Sequence, residues 1–336
     1  MAARVAINGF GRIGRDFLRC VLEQPERSVE VVAVNDLVPP ETLAHLLEFD
    51  STYGRLAQPV RVHRSTISVG SQTIHVAGEA DPAKLPWGEL DVDVVIESTG
   101  RFRTREAAAA HLAAGARKVI ISAPGKDVDA TIVMGINDDT YDPDRHAVIS
   151  NASCTTNCVA PMAYVLHRAF GVRRGLMTTI HSYTNDQSLL DGPHKDLRRA
   201  RSAAVNLIPT STGAARAIGE VLPELAGRLD GVAVRVPVED GSLTDLTVEL
   251  AEPVTEGQVN RAFAEAAAGD LKDFLRYTEQ PIVSRDIIGD PASCVFDASL
   301  TKAGGQLAKV FGWYDNEWGY AQRTLDLVGL VARQLG

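Results

Sequence analysis

Cysteine is scarce in this chain: Cys20, Cys154, Cys158 and Cys294 are the four among 336 residues. That is too few for a disulfide framework, and no two of them form a CxxC pair, which speaks against a thiolate zinc site. No run of about 18 apolar residues occurs, so no transmembrane helix is expected and no membrane partner. The first residues, Met1-Ala-Ala-Arg-Val, lead into a strand pattern without the apolar region of a signal peptide. Positive charge is also short, with 34 Lys and Arg against 43 Asp and Glu and a formal net charge of −9. A polyanion binder needs a surplus of cations, so nucleic acid is not expected as a primary partner. There is no internal repeat and no low-complexity stretch. What is present is ordinary for a globular protein: 45% hydrophobic and 23% charged residues. At about 150 residues per domain the length suggests two domains with sizeable cores. The expectation is a soluble, acidic, intracellular protein.

The first half alternates short apolar runs with helical stretches. Strands are predicted at Val5–Ile7, Val29–Val34, Val92–Glu97, Val119–Ser122, Thr131–Met134 and Val148–Ile149, and helices at Gly11 to about Leu22 and Thr104–Gly115. Strands alternating with helices predict an α/β fold with a doubly wound parallel sheet. Near residue 150 the pattern changes. A long helix over Cys154–Phe170 precedes strands at 176–181, 232–238, 243–250, 294–300 and 307–313, a helix at about 257–268, and a final helix, Tyr320–Gln334. That second part reads as α+β with a mixed or antiparallel sheet. Residues 182–206 show no element. So long a loop in a compact domain is often functional.

Asn8-Gly9-Phe10-Gly11-Arg12-Ile13-Gly14 holds Gly-x-Gly-x-x-Gly between a strand and a helix, the context this weak pattern needs to mean dinucleotide binding. Gly9 permits the tight turn, Gly11 lets backbone approach a pyrophosphate, and Gly14 lets helix pack on strand. The helix start then offers free amides to the phosphates. Asp36 follows the second strand, 22 residues after Gly14. A carboxylate there accepts from ribose hydroxyls and repels a 2′-phosphate, so NAD is expected over NADP. The alternative is a structural turn with a surface Asp.

Ser150-Asn-Ala-Ser-Cys154 precedes the long helix, with Asn151 and Ser153 as cap candidates. Cys154 would sit at a helix start, where the dipole favours a thiolate. Cys158 lies one turn further on, as a structural neighbour or a redox partner. Cys20 and Cys294 read as buried small hydrophobes. His181 ends a strand and opens the long loop, a natural position for a general base, though spacing cannot bring it to Cys154. His45, His63, His75, His111, His146, His167 and His194 read as surface or supporting residues. Lys195, Arg198, Arg199 and Arg201 in the loop, Thr210-Ser-Thr-Gly-Ala-Ala-Arg216 and Arg235 suggest a small phosphorylated substrate; a solvated basic loop or a subunit contact is the alternative.

Taken together, these residues resemble the phosphorylating glyceraldehyde-3-phosphate dehydrogenase family along essentially the whole chain. The signposts are Ile7-Asn-Gly-Phe-Gly-Arg-Ile-Gly-Arg15, Glu97-Ser-Thr-Gly100, Ile121-Ser-Ala-Pro124, Ala152-Ser-Cys-Thr-Thr-Asn-Cys158, His181-Ser-Tyr-Thr-Asn-Asp-Gln187, Asp191-Gly-Pro193, Ser211-Thr-Gly-Ala-Ala215 and Trp313-Tyr-Asp-Asn-Glu-Trp-Gly-Tyr320. The resemblance implies NAD-dependent oxidation of D-glyceraldehyde 3-phosphate to 1,3-bisphosphoglycerate, with inorganic phosphate as co-substrate. It implies Cys154 as nucleophile and thioester carrier and His181 as base. It implies Gly9, Gly11, Arg12, Ile13, Gly14, Asp36, Ser122, Asn316 and Tyr320 at the cofactor. It also implies Ser153, Thr155, Thr212 and Gly213 at the attacking phosphate, and Thr184, Arg199 and Arg235 at the phosphates, with Arg198 the neighbour of Arg199. No metal is implied. The loop 182–206 matches an S-shaped loop that reaches an adjacent subunit, which implies a cytoplasmic homotetramer. Residues 1–152 with the terminal helix 316–336 would form the NAD-binding domain, and 153–315 the catalytic and oligomerisation domain.

The chain departs from the family pattern at three places. Ala80 stands where many members carry an arginine near the adenine. Val236-Pro-Val-Glu-Asp-Gly-Ser-Leu-Thr-Asp245 replaces Val-Pro-Thr-x-Asn-Val-Ser-Val-Val-Asp, and Ala321-Gln322 replaces Ser-Asn. Two further readings remain: a paralogue acting on erythrose 4-phosphate, and a redox-sensing or moonlighting binding role secondary to the enzyme.

Overall fold

The computed structural model describes residues 2–24 and 28–335; Met1 lies outside that range. The chain forms two compact units, one comprising residues up to Ile132 with Asp139–Ala152 and the segment from Ala321, the other Val133–Asp138 with Ser153–Tyr320. The terminal segment of the first unit therefore begins at Ala321, not at Asn316. Asn316 stays with the second unit because its side chain is tied to Ser182 and Ser242 there.

The first unit contains, in chain order, β1 (Ala3–Asn8), α1 (Arg12–Glu23), β2 (Val29–Asn35), α2 (Pro40–Glu48), the short pair β3 (Phe49–Asp50) and β4 (Gly54–Arg55), β5 (Val60–His63), β6 (Thr66–Val69), β7 (Gln72–Ala77), β8 (Val94–Glu97), α3 (Arg105–Ala108), α4 (Ala110–Ala113), β9 (Lys118–Ile121), β10 (Ala130–Thr131) and β11 (Val148–Ser150). Its nine-stranded sheet has the order β10-β11-β9-β8-β1-β2-β7-β6-β5. It is parallel from β10 to β7, and β6 and β5 are added antiparallel. Val5, Ala6, Ile7 and Val94–Ile96 are fully buried. Such continuous apolar runs are the mark of parallel strands covered on both faces. β1 is central, with β8 on one side and β2 on the other, so the chain reverses its winding there. In doubly wound sheets ligands bind at that point, beyond the carboxyl ends of the strands.

The sequence reading missed the hairpin strands β5–β7 and α2. The hairpin strands are short; β6 and β7 alternate buried with more open residues and β5 half-buried with exposed ones, and isolated short alternations carry little signal. The helix expected over Thr104–Gly115 is broken at Ala109 into α3 and α4. Thr104 still caps it, accepting from the Ala107 amide at 3.2 Å.

The second unit contains α5 (Cys154–Phe170), β12 (Val172–Ser182), β13 (Ile208–Ser211), α6 (Ala214–Val221), β14 (Leu229–Val236), β15 (Ser242–Leu250), α7 (Glu256–Ala268), β16 (Leu275–Thr278), β17 (Cys294–Asp297), β18 (Lys302–Gly304) and β19 (Leu307–Tyr314). Its sheet has the order β13-β14-β12-β15-β19-β17-β16, with β18 on β19. The sheet is mixed: β12/β14 and β16/β17 are parallel, and the remaining pairs antiparallel. α5, α6 and α7 pack against it. A Phe263–Phe296 stack at 3.8 Å joins α7 to β17. Residues 183–207 hold no helix or strand. The last helix, α8, is Trp318–Arg333. Among the described residues no helix is long and apolar enough to cross a membrane.

Candidate active site

Two sites take shape, one in each unit. In the first, β1 ends in the Gly9–Gly14 turn. Gly9 adopts φ +93°, and a Cβ there would lie 2.6 Å from the Thr99 amide nitrogen. A Cβ on Gly14 would run into the Gly9 carbonyl, whereas one on Gly11 would meet nothing within 4 Å. Gly9 and Gly14 are thus fixed by packing, and Gly11 leaves open space at the start of α1, where backbone amides face outward. The turn lines a cleft of about 310 Å³ with Asn35, Asp36, Thr99 and Arg101. Asp36 accepts from the Phe10 amide at 2.9 Å and the Val38 amide at 3.3 Å, so the carboxylate at the end of β2 is oriented by the turn itself. A glycine cradle over free amides with a carboxylate beside it fits a dinucleotide.

Beneath the cleft lies a buried polar network. Asn8 donates to Glu97 at 2.6 Å, and Asn35 donates to Asn8 at 2.7 Å. Glu97 receives the Thr99 amide at 2.9 Å and lies 3.0 Å from His111 Nε2. The Trp87 indole, which can only donate, reaches His111 Nδ1 at 3.0 Å. Nδ1 must therefore accept, so the proton sits on Nε2 and is donated to Glu97. His111 is fully buried, so of the two readings, surface or supporting, it is the supporting one that applies. It is a neutral link fixing the carboxylate that holds the Ser98–Thr99 turn.

In the second unit the site is set by two adjacent strand ends and one helix start. The parallel register of β12 and β14 places His181 beside Arg235. Ser153 caps α5, accepting from the Thr156 amide at 3.0 Å, so Cys154 is the first residue of the helix. Its Sγ lies 3.4 Å from His181 Nε2. His181 Nδ1 lies between the Ser182 carbonyl at 2.8 Å and an Arg235 nitrogen at 2.7 Å; in the tautomer whose Nδ1 proton is donated to that carbonyl, the Nε2 lone pair faces the sulfur. Arg235 donates to the same carbonyl at 2.8 Å. Cys154 is partly open, while Cys20, Cys158 and Cys294 are buried.

The sequence reading expects the helix start to favour the Cys154 thiolate. Here burial works the other way, pushing the thiol up to about 11, opposed by the charge of Arg235 and hydrogen bonds from Thr155. Burial, reinforced by Arg235, pushes His181 down to about 3. Neither group charges readily alone. Moving the proton from Sγ to Nε2 charges both at once, and each new charge supports the other, so the pair titrates as a unit.

These geometries agree with comparisons to known proteins. Residues 3–105 match a family model described as the NAD binding domain of glyceraldehyde 3-phosphate dehydrogenase, and residues 153–316 match that enzyme's C-terminal domain. The chain is 60% identical over 337 residues to glyceraldehyde-3-phosphate dehydrogenase of Streptomyces coelicolor, with all of both chains covered. It is 58% identical to glyceraldehyde-3-phosphate dehydrogenase 2 of Streptomyces avermitilis, again with both chains fully covered. Against the Geobacillus stearothermophilus protein of the same name the identity is 57%, over 99% of each chain. The chain belongs to the glyceraldehyde-3-phosphate dehydrogenase family.

The remaining candidate residues of this family member are located within their own units as follows. The Arg12 guanidinium pairs with Asp50 and lies over the Tyr53 ring, and Ile13 is half-buried in the first turn of α1. Ser122, after β9, donates through its amide and hydroxyl to the Glu97 carbonyl. Ala80, where the resemblance expects an arginine, lines the same cleft as Arg101. In the second unit Arg199 is largely enclosed. It pairs with Asp186 and donates to Thr210 at 3.0 Å, near enough for its charge to act on His181 and Arg235. Arg198 is exposed. Thr212 accepts from the Ala214 amide at the start of α6, with open space around Gly213. Thr184 is half-buried. Thr155, expected at a phosphate, is buried, and its hydroxyl meets Tyr314 at 2.8 Å; there it supports the sulfur's surroundings.

Asn316 is buried, and its oxygen accepts from Ser182 at 2.8 Å and Ser242 at 2.6 Å. That leaves the amide nitrogen as the end available to a ligand. Tyr320 is buried in α8. Sequence reasoning missed Asp186, Ser182, Ser242, Tyr314 and the Glu97–His111–Trp87 chain. Each acts by fixing another side chain, and no local spacing signals that.

Proposed function

We propose that this chain catalyses the NAD-dependent, phosphorylating oxidation of glyceraldehyde 3-phosphate to 1,3-bisphosphoglycerate, with Cys154 as nucleophile and His181 as base. The observation that carries the reading is the Cys154–His181–Arg235 cluster at the start of α5: a thiol, a neutral imidazole aimed at it and a cation beside both. Cys154 Sγ adds to the aldehyde carbon as His181 Nε2 takes the thiol proton. The Cys154 amide, free because it heads α5, donates to the oxyanion. His181 returns that proton to the oxyanion, giving the neutral hemithioacetal, and takes it back from the hydroxyl as the hydride leaves. NAD, when bound, supplies the acceptor for the hydride that leaves the same carbon. The thioester left on Cys154 conserves the oxidation energy until phosphate attacks it and the acyl phosphate departs, returning the thiolate.

Gly9, Gly11 and Asp36 would hold the adenosine and pyrophosphate part of NAD, with Arg12, Ile13, Gly14 and Ser122 shaping that site. Asn316, backed by Tyr320, would donate to the nicotinamide carboxamide. Arg235, Arg199 and Thr184 would bind the substrate's phosphate, and Ser153, Thr212 and Gly213 the attacking one. The Nε of Arg235 is buried without a protein partner, a donor suited to a phosphate oxygen.

The reading includes a cytoplasmic homotetramer. The 183–207 loop exposes Leu189, Leu190 and Leu197 at 73%, 75% and 82%, and the sheet exposes Leu176 and Leu307. Apolar surface of that extent supports burial against other copies. Steady-state rates on glyceraldehyde 3-phosphate and erythrose 4-phosphate, with and without phosphate and with NAD or NADP, test the function. Equal or better turnover of the four-carbon aldehyde, or rates indifferent to phosphate, would overturn it. Cys154→Ser should abolish activity with the fold retained.

A further inference from the structure

The stretch after Arg235 departs from its family's pattern by placing Asp240-Gly241 where Asn-Val is usual. In the antiparallel register of β15 and β19, Ser242 faces Tyr314. The turn before β15 therefore lies beside the turn after β19, and Asp240 meets Asp315. Both side chains are essentially unexposed, at 0% and 2%, and they hydrogen-bond to each other. Two carboxyl groups hydrogen-bond directly only if one keeps a proton. Asp315 already accepts three backbone amides: Gly289 at 2.7 Å, Glu317 at 2.9 Å and Trp318 at 2.7 Å. As the carboxylate that holds the 316–318 turn, it is the poorer proton carrier, so the proton belongs on Asp240. Gly241 makes the arrangement possible. Its φ is +86°, and a Cβ there would run into the Ser284 carbonyl, so the usual valine cannot adopt this turn.

We propose that protonated Asp240 is a positioning residue for Asn316, acting through Asp315: while it carries the shared proton it stands in for the family's asparagine, and when it loses that proton the 316–318 turn is released. The charges that bear on Asp240 are those of Asp315 and Glu317, both acidic. Glu239, its chain neighbour, pairs with Arg285. Asp286, on the segment carrying Ser284, accepts the Val283 amide. Burial with these like charges pushes Asp240 up to about 9. It therefore keeps its proton at neutral pH and sheds it as the solution becomes alkaline. The catalytic consequence rests on the reading of Asn316 as the nicotinamide anchor.

The experiment compares wild type with Asp240→Asn, which restores the amide of the family pattern, across pH 6–10. In wild type, KM for NAD should rise about tenfold per pH unit above the loss of one proton near pH 9, with kcat changing less. Asp240→Asn should hold KM for NAD nearly flat. A wild-type KM flat to pH 10, or superimposable profiles, overturns the proposal. Melting without NAD gives the second readout. Native Asp240 binds a proton that the unfolded chain gives up near 4, so wild-type stability should fall as pH rises from about 4 to about 9. Asp240→Asn should melt above wild type at pH 8, by a margin that shrinks towards pH 4; equal melting slopes overturn the pair itself. If Asn316→Ala leaves KM for NAD and kcat unchanged at pH 7 while the melting difference stands, the anchor reading has failed and the proton-sharing pair has not.

Discussion

Replacing His181 with asparagine probes the step on which the chemistry depends. Alone, the Cys154 thiol is held near 11 by burial, so at pH 7 solvent can ionise about one molecule in 10⁴. In the native pair the proton need travel only the 3.4 Å to Nε2. At an effective dielectric of about 20, opposite unit charges at that separation attract by about 5 kcal/mol, or about 3.6 decades, less than half of the roughly eight decades between an imidazole near 3 and a thiol near 11. The resting pair therefore stays neutral, and His181 contributes as a general base during the attack, typically about 10²- to 10⁴-fold. His181→Asn should therefore slow alkylation of Cys154 by iodoacetamide at pH 7 by between about 100-fold and about 10,000-fold. The deficit should close at high pH, because the lone thiol's rate climbs about tenfold per pH unit towards 11. Cys154→Ser identifies the labelled site, since Cys20, Cys158 and Cys294 are buried. Alkylation of the asparagine variant at the wild-type rate at pH 7, or a rate that levels off below pH 9, would refute the reasoning.

Three further outcomes follow from the first unit. Gly14→Ala drives a methyl into the Gly9 carbonyl, so the turn must shift; KM for NAD should rise at least tenfold while iodoacetamide labelling of Cys154 is unchanged, and an unaltered KM would contradict the role given to the turn. Asp36→Ala removes the carboxylate proposed to hold the ribose; a charged hydrogen bond of about 1.5–3 kcal/mol implies that kcat/KM for NAD falls roughly 10- to 150-fold while that for NADP holds or improves, and an unchanged NAD-to-NADP ratio would count against it. Trp87→Phe strips the donor from buried His111 Nδ1, so the melting transition should lose about 1–3 kcal/mol; a neutral effect would mean that water replaces the indole.

The Gly9–Gly14 turn, Asp36 and the Cys154 helix start were legible because each is local. A glycine spacing, a strand end and a cap residue are decided within a few positions, where backbone sterics and hydrogen bonding act directly. The fold class was legible for the same reason: continuous apolar strands alternating with helices admit few arrangements. The hairpin strands β5–β7 were not, since their partners, rather than their own short patterns, hold them in place. The break at Ala109 was not either, because the residues around it, 105–110, are all good helix formers.

The sequence by itself determined the elements that would carry chemistry and which residue types they would present. Tertiary structure alone decided which of these meet. His181, the proposed base, has Arg235 and the Ser182 carbonyl set around it because β14 runs parallel beside β12. Cys154 is raised rather than lowered because burial outweighs a helix start. Asp240 is pushed up to about 9 because burial, and Asp315 brought beside it by β15 and β19, disfavour its charge. Charge, protonation and hydrogen-bond direction depend on what lies within a few ångströms, and in a folded chain those neighbours come from remote positions.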